Sequence, residues 1–291
     1  MNTFHQYNET DPLKKVIIGR YQGYRAEEAY VEIVNEEQKK GLPDVQELGP
    51  EFESFKHHLE ARGVEVLVPQ YVGKFVYDQL TPRDIGITIG NKFVMSNMVN
   101  QSRRYEAAGI FPMINNMKGE EPAILLPPGN DILLEGGDIL VDKGNIFVGI
   151  SQRTNEAGFD FLEEVFGDRF NLVPVYCRSL DEGKNVLHLD CTFNPVGRQH
   201  ALIYPDGFRE VPGIIKDEYQ WIEINAEEQA ELATNVISIN QDTVISRDHK
   251  KCQRVNDEMK KVGIEVIELP FDAAPATGGS FRCCTLPLVR A

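Results

Sequence analysis

DILVDKGNIFVGI, residues 138–150, holds two short apolar runs around Lys143-Gly144-Asn145. Apolar runs rich in β-branched residues on either side of a Gly-containing turn predict a β-hairpin turning at those three residues. IGITIGNKFVMSN, residues 85–97, repeats the pattern and turns at Gly90-Asn91. Outward from these hairpins lie further short apolar runs that contain or end in proline. They are EVLVP (65–69), AILLPP (123–128), NLVPV (171–175) and EVIELP (265–270), with NVISIN (235–240) as a weaker fifth copy. Such runs read as buried strands stopped by a residue that cannot donate to a ladder.

Each run follows a helical pattern. The patterns are Glu51 to Arg62, a less regular stretch from Arg103 to Met117, Glu156 to Phe166 with Asn155 as cap, Ala226 to Ala233, and His249 to Lys261. The unit is therefore helix, strand, loop, hairpin, recurring about every 50 residues, a period that signals a propeller or a stacked array. About five units fit the chain. The N-terminal strand KKVIIG (14–19) is expected to complete the unit left unfinished at the C-terminus and so close a ring.

Bulk properties narrow the function. The 291 residues are 42% hydrophobic and read as one ordered α/β domain spanning 1–291. A net charge of −15 argues against nucleic acid, whose phosphates need Lys and Arg, and favours a cationic ligand. The N-terminus MNTFHQYNETDP is polar, and no apolar run approaches the roughly 20 residues of a membrane span. Five cysteines without regular spacing suggest a reducing compartment, so the expected location is the cytoplasm.

The residues that open the strand after each loop carry the chemistry. Asp84 precedes IGITI, Asp138 precedes ILV, Asp190 precedes CTF and Cys283 precedes CTLPL. One Asp before a strand is ordinary turn chemistry. Three in register with a cysteine point to a central site, because equivalent positions of a pseudosymmetric ring converge on its axis. A nucleophilic cysteine usually needs a histidine. Of the six histidines only His188, in HLD, occupies the loop slot of a repeat, on the same extended face as Asp190. Glu135, in EGGD, fills that slot one unit earlier and can orient His188, while the two glycines allow a tight turn.

Three arrangements compete for these residues. A papain-like protease would place its cysteine before its histidine. A zinc site would need C-x₂-C or H-x₃-H spacing. Carboxylates grouped around a nucleophile suit a cationic substrate, and the planar, fork-shaped guanidinium suits two carboxylates.

TPRD (81–84), EGGD (135–138), HLD (188–190) and RCCT (282–285), in that order, resemble the guanidine-modifying superfamily. It includes arginine deiminases, dimethylarginine dimethylaminohydrolases, arginine dihydrolases and amidinotransferases. The resemblance implies a five-bladed α/β propeller of ββαβ modules around a central site. It implies that Cys283 is the nucleophile, because Thr285 completes a C-x-[ST] pattern that Cys284 lacks. It makes His188 the general acid/base and Glu135 its partner, with Asp84 and Asp190 on the guanidinium and Asp138 also in the motif. NQSRRYE (100–106) resembles a segment that binds a substrate carboxylate, which selects Arg104 over Arg103, with Arg20 a further candidate. Length and the cysteine doublet favour the dimethylaminohydrolase and dihydrolase group.

The implied activity is a hydrolase acting on the guanidine of arginine or a methylated arginine through a covalent cysteine intermediate. The alternatives are an amidinotransferase and an inactive arginine-binding relative. No cofactor or metal is implied. The expected partner is a small cationic guanidino substrate, with neither nucleic acid nor membrane, and a homo-oligomer is left open.

Overall fold

The turn residues of the 138–150 hairpin dictate its geometry. Ile139–Asp142 pairs antiparallel with Asn145–Ile150, and the last pair is Asp142 with Asn145. The turn is thus two residues, Lys143 and Gly144, at φ 51° and 76°. Two consecutive left-handed residues give the turn whose twist matches the strands. Asn145 belongs to the strand, one residue tighter than the sequence suggests. The second hairpin, Gly86–Ile89 with Lys92–Met95, turns at Gly90-Asn91 as expected.

In this computed structural model, residues 2–23, 45–73, 76, 79–184 and 186–291 are described. Among them the strands form five sheets of three. Each sheet is a hairpin plus a third strand running parallel to the hairpin's second strand. A crossover helix makes such a parallel return feasible. Between Asn145–Ile150 and its parallel neighbour Asn171–Tyr176 lies the helix Glu156–Phe166, with the Asn155 side chain accepting from Gly158 N. The other third strands are Glu65–Leu67, Ile124–Leu125, Gln220–Glu223 and Glu265–Leu269. Leu13–Ile18 pairs antiparallel with Thr285–Arg290 and parallel with Glu65–Leu67, so the chain's first strand completes its last hairpin.

One unit differs from the sequence reading. Ile237–Asn240, within NVISIN, opens a hairpin with Thr243–Arg247 and is not a third strand. The true third strand of the preceding unit is Gln220–Glu223, reached through the helix Gly213–Glu218. Its sequence, QWIE, buries only Ile222, so no apolar run marks it. Third strands are part-exposed edges, whereas most hairpin residues are buried. Ala226–Ala230 therefore leads into a hairpin, not a third strand. The stretch Arg103 to Met117 gives a shorter helix, Ala107–Ile114, after a 3-10 turn at Gln101–Arg103.

Aromatic residues seal the joint between the first and last units. Phe52, Phe55, Phe271 and Phe281 are fully buried, and Phe271 is in ring contact with each of the other three. Each buried ring contributes roughly 1.5–3 kcal/mol relative to an exposed one. Cys284 is buried in the same apolar cluster.

Candidate active site

Short 3-10 turns precede three of the hairpins: Pro82–Ile85, Gly136–Asp138 and Leu189–Cys191. They carry Asp84, Asp138 and Asp190, and a turn at 281–284 carries Cys283. Close approach of backbone, and not a left-handed φ, explains the glycines of EGGD. A Cβ on Gly136 would lie 2.2 Å from the Arg83 carbonyl oxygen. One on Gly137 would lie 2.7 Å from Asp84 Oδ1 and 2.8 Å from His188 Cγ.

These turns assemble one buried polar cluster. His188 Nε2 donates to Glu135 Oε2 at 2.8 Å, and His188 Nδ1 lies 3.7 Å from Asp84 Oδ1. Cys283 Sγ lies 3.9 Å from Asp190 Oδ2. Glu135 is fixed in turn, because its Oε1 accepts from Val99 N and its amide donates to Thr154 Oγ1. All five of these side chains are buried.

Asp138 sits differently. Oδ1 accepts from Leu189 N at 2.8 Å and Oδ2 from Ser151 Oγ at 2.7 Å. Oδ1 thereby holds the loop that carries His188, and Oδ2 ties it to the residue that follows the strand Asn145–Ile150. Arg104 does not join the cluster: it is exposed, and its Nε donates to Met98 O. Arg103 is the residue of that pair that reaches inward, with Nη1 2.6 Å from Asp84 Oδ2 and Nε 2.8 Å from Glu106 Oε1. Arg20 donates to the Pro69 carbonyl.

Electrostatics set the resting protonation. Burial opposes charge on His188, but Asp84, Glu135 and Asp138 outweigh it and raise its pKa from 6.5 to about 10. Burial alone would also raise Asp84. His188 and Arg103 reverse that and hold it below the usual carboxylate value. Burial, then Asp190 and Asp84, push the Cys283 thiol well above its ordinary value. The resting pair at neutral pH is thus a thiol and an imidazolium. Asp84 Oδ1 is buried and has no hydrogen-bond partner among the described residues. Asp190 Oδ2 faces Arg282 Nε at 3.3 Å.

Two residues that sequence reasoning passed over complete the site. Asn235 holds the Cys283 turn through its side chain. It stands two residues before Ile237, as Asp84 stands two before Gly86 and Cys283 two before Thr285. Reading NVISIN as a third strand hid that register. Arg282, 1% exposed, bridges Asp190 and Glu9 beneath the site. Among the described residues, no group of three or more His, Cys, Asp or Glu side chains is placed to hold a metal ion, and no helix is long and apolar enough to cross a membrane.

A thiol, an imidazole and paired carboxylates on this α/β pentein fold define a member of the guanidine-modifying superfamily, whose enzymes are amidine hydrolases and amidinotransferases. Within it, the chain belongs to the family described as N,N dimethylarginine dimethylhydrolase, eukaryotic, whose model matches residues 26–290. It is 33% identical to the uncharacterized protein YkgA of Bacillus subtilis (strain 168), over 89% of this chain and 87% of that protein. The fold is similar to that of SxtG, an amidinotransferase from Microseira wollei in the saxitoxin biosynthetic pathway. The TM-score is 0.82 at 20% identity, covering 99% of this chain and 97% of that one. It is also similar to a mutant DDAH from Pseudomonas aeruginosa complexed with citrulline. There the TM-score is 0.74 at 19% identity, over 95% and 99% of the two chains.

Proposed function

We propose that the chain is a cytoplasmic, single-domain hydrolase that cleaves a guanidine C–N bond of arginine or an N-methylated arginine. Its five sheets act as blades of a five-bladed propeller, with Cys283, His188 and the carboxylates on the axis. One observation carries the reading: Asp84 Oδ1 is a buried carboxylate oxygen without a hydrogen-bond partner among the described residues, beside a catalytic-type imidazole. A buried anion of this kind calls for a cationic donor, and a guanidinium supplies one in planar form.

Asp84 and Asp190 grip the guanidinium and align its carbon with Cys283 Sγ. The arriving cation offsets the carboxylates that disfavour the thiolate, and the thiol proton leaves to solvent. The thiolate attacks the guanidinium carbon. His188, held as an imidazolium by Glu135, gives its proton to the departing amine and leaves a thiouronium on Cys283. Neutral His188 then takes a proton from water, which attacks the same carbon, and collapse releases a ureido product and the thiol. Asp138 keeps His188 in place through Leu189 N. Arg104 and Arg20 are the candidates for a substrate carboxylate, because Arg103 is already paired with Asp84 and Glu106.

The likeness to an amidinotransferase across nearly the whole chain supports a second reading, in which an acceptor amine replaces water. Mass spectrometry of products from arginine, dimethylarginine and agmatine, with and without glycine, decides between them. A ureido product without glycine supports the hydrolase. A product formed only with glycine supports transfer, and binding without turnover overturns both.

A further inference from the structure

We propose that Asn235 is a positioning residue for the nucleophile, whose side-chain amide orients Cys283 and stabilises its thiolate with an N–H···S hydrogen bond. The proposal rests on Cys283 being the nucleophile, and it adds a residue from the one unit whose register the sequence concealed.

The geometry is a clamp with two ends. Asn235 Oδ1 accepts from Ser280 N and from Cys283 N, both at 3.0 Å. The Asn235 backbone carbonyl accepts from Arg282 N at 3.2 Å. These three bonds pin the turn on either side of the thiol. Backbone amides can only donate, so the oxygen must face them and the NH₂ must face elsewhere. It faces Cys283 Sγ, at 3.0 Å. Asn235 is 1% exposed, so water does not compete for that donor.

Such a donor matters here because the rest of the surroundings disfavour a thiolate. Asp190 and Asp84 face the sulfur with negative charge, and the Cys191 and Cys284 thiols lie close, while the positive charge of Arg282 lies adjacent in sequence. Arg282 is already engaged with Glu9 and Asp190. Asn235 is thus a neutral donor that serves the sulfur without repelling an incoming guanidinium, as a lysine or arginine at this place would. It also aims the sulfur: a bond along one lone pair leaves another free for attack.

Asn235→Asp separates the two ends of the clamp. It keeps the oxygen that accepts from Ser280 N and Cys283 N and replaces the donor by a second oxygen. Asn235→Ala removes both ends. The readout is the rate of iodoacetamide alkylation of Cys283 from pH 7 to 10, mapped by peptide mass spectrometry, with thermal melting to confirm folding. A hydrogen bond to a charged group is worth about one to two pKa units. Alkylation of Asn235→Asp, whose buried carboxylate also faces the sulfur with negative charge, is therefore expected to fall by at least about 10- to 100-fold at each pH, with a lowered but cooperative melt.

A purely structural clamp predicts the opposite sign, since loosening the turn exposes the thiol and speeds alkylation. Unchanged or faster alkylation in Asn235→Asp overturns the proposal, as does a slowing seen only in Asn235→Ala. The assay reads the thiol and not turnover. If Cys283→Ser still turns over substrate, the proposed reaction fails while the alkylation result stands on its own.

Discussion

Cys283 and Cys284 are neighbours in sequence with opposite surroundings. Cys283 Sγ faces Asp190 and Asn235, whereas Cys284 packs among Phe52, Phe55 and Phe281. Cys283→Ser is expected to lose several orders of magnitude in turnover, as removal of a covalent nucleophile does. Cys284→Ala should keep most activity per folded molecule and lower stability by about 1 kcal/mol for the lost packing. Steady-state rates and urea melts of the two variants check this pair. His188 makes a pH prediction. Its raised pKa means that the imidazolium persists through neutral pH and is lost as pH rises through about 10. Glu135→Gln removes a negative partner, so the alkaline limb of the pH–rate profile should move to lower pH. An unmoved limb would assign that limb to another group.

At the scale of the element, the 3-10 turns are the devices that place the side chains. Gly136 and Gly137 are there because neighbouring turns leave no room for a Cβ. Gly136→Ala meets two backbone carbonyl oxygens, those of Arg83 at 2.2 Å and Gly86 at 2.6 Å, which have no rotamer to change. It should cost roughly 1–3 kcal/mol of stability. Gly137→Ala meets the Asp84 carboxylate and the His188 ring, which do have somewhere to go. Its expected signature is a drop in turnover of about 100-fold with a smaller change in melting, because small misplacements of reacting groups are costly. Circular-dichroism melts and kinetics on both variants separate the two outcomes. Equal stability loss in both would mean that Gly137 serves the fold alone.

Over the whole molecule, the N-terminal segment does more than add a strand. Glu9 is 1% exposed and reaches Arg282 Nη1 at 2.6 Å, with Arg83 and Arg290 also fully buried nearby. Burial would raise its pKa, but Arg282, Arg83 and Arg290 overcome that and hold it at about 2. A depressed carboxyl contributes stability above its unfolded pKa of about 4.5 and loses it as pH falls toward 2. Glu9→Gln leaves buried guanidiniums uncompensated and should cost roughly 3–5 kcal/mol at neutral pH. The deficit should shrink between about pH 4.5 and 2. Urea unfolding across that range measures it, and a pH-independent deficit would place the effect in packing instead of charge.

The hairpins and the proline-terminated strands were legible from residue order alone, because turn chemistry and apolar runs are local signals. The placing of Asp84, Asp138, Asp190 and Cys283 just before their strands was legible too, but their offsets differ, two residues for Asp84 and Cys283, one for Asp138 and three for Asp190. Local signals also foretold that the first strand would complete the last hairpin, since an unfinished unit at one end matched a lone strand at the other. The chain could not announce QWIE as a third strand, because an exposed edge needs little apolar surface. That gap displaced NVISIN by one role and hid Asn235. Residue order selected Arg104 over Arg103 by resemblance alone, because adjacent residues with the same chemistry carry no local signal of which one turns inward. Only the turn at Gln101–Arg103 points one inward to Asp84 and leaves the other in solvent. Sequence fixed which residue types could meet, through spacing and local propensity. Tertiary structure decided which of them share a buried space, because that depends on how turns from distant units pack against one another.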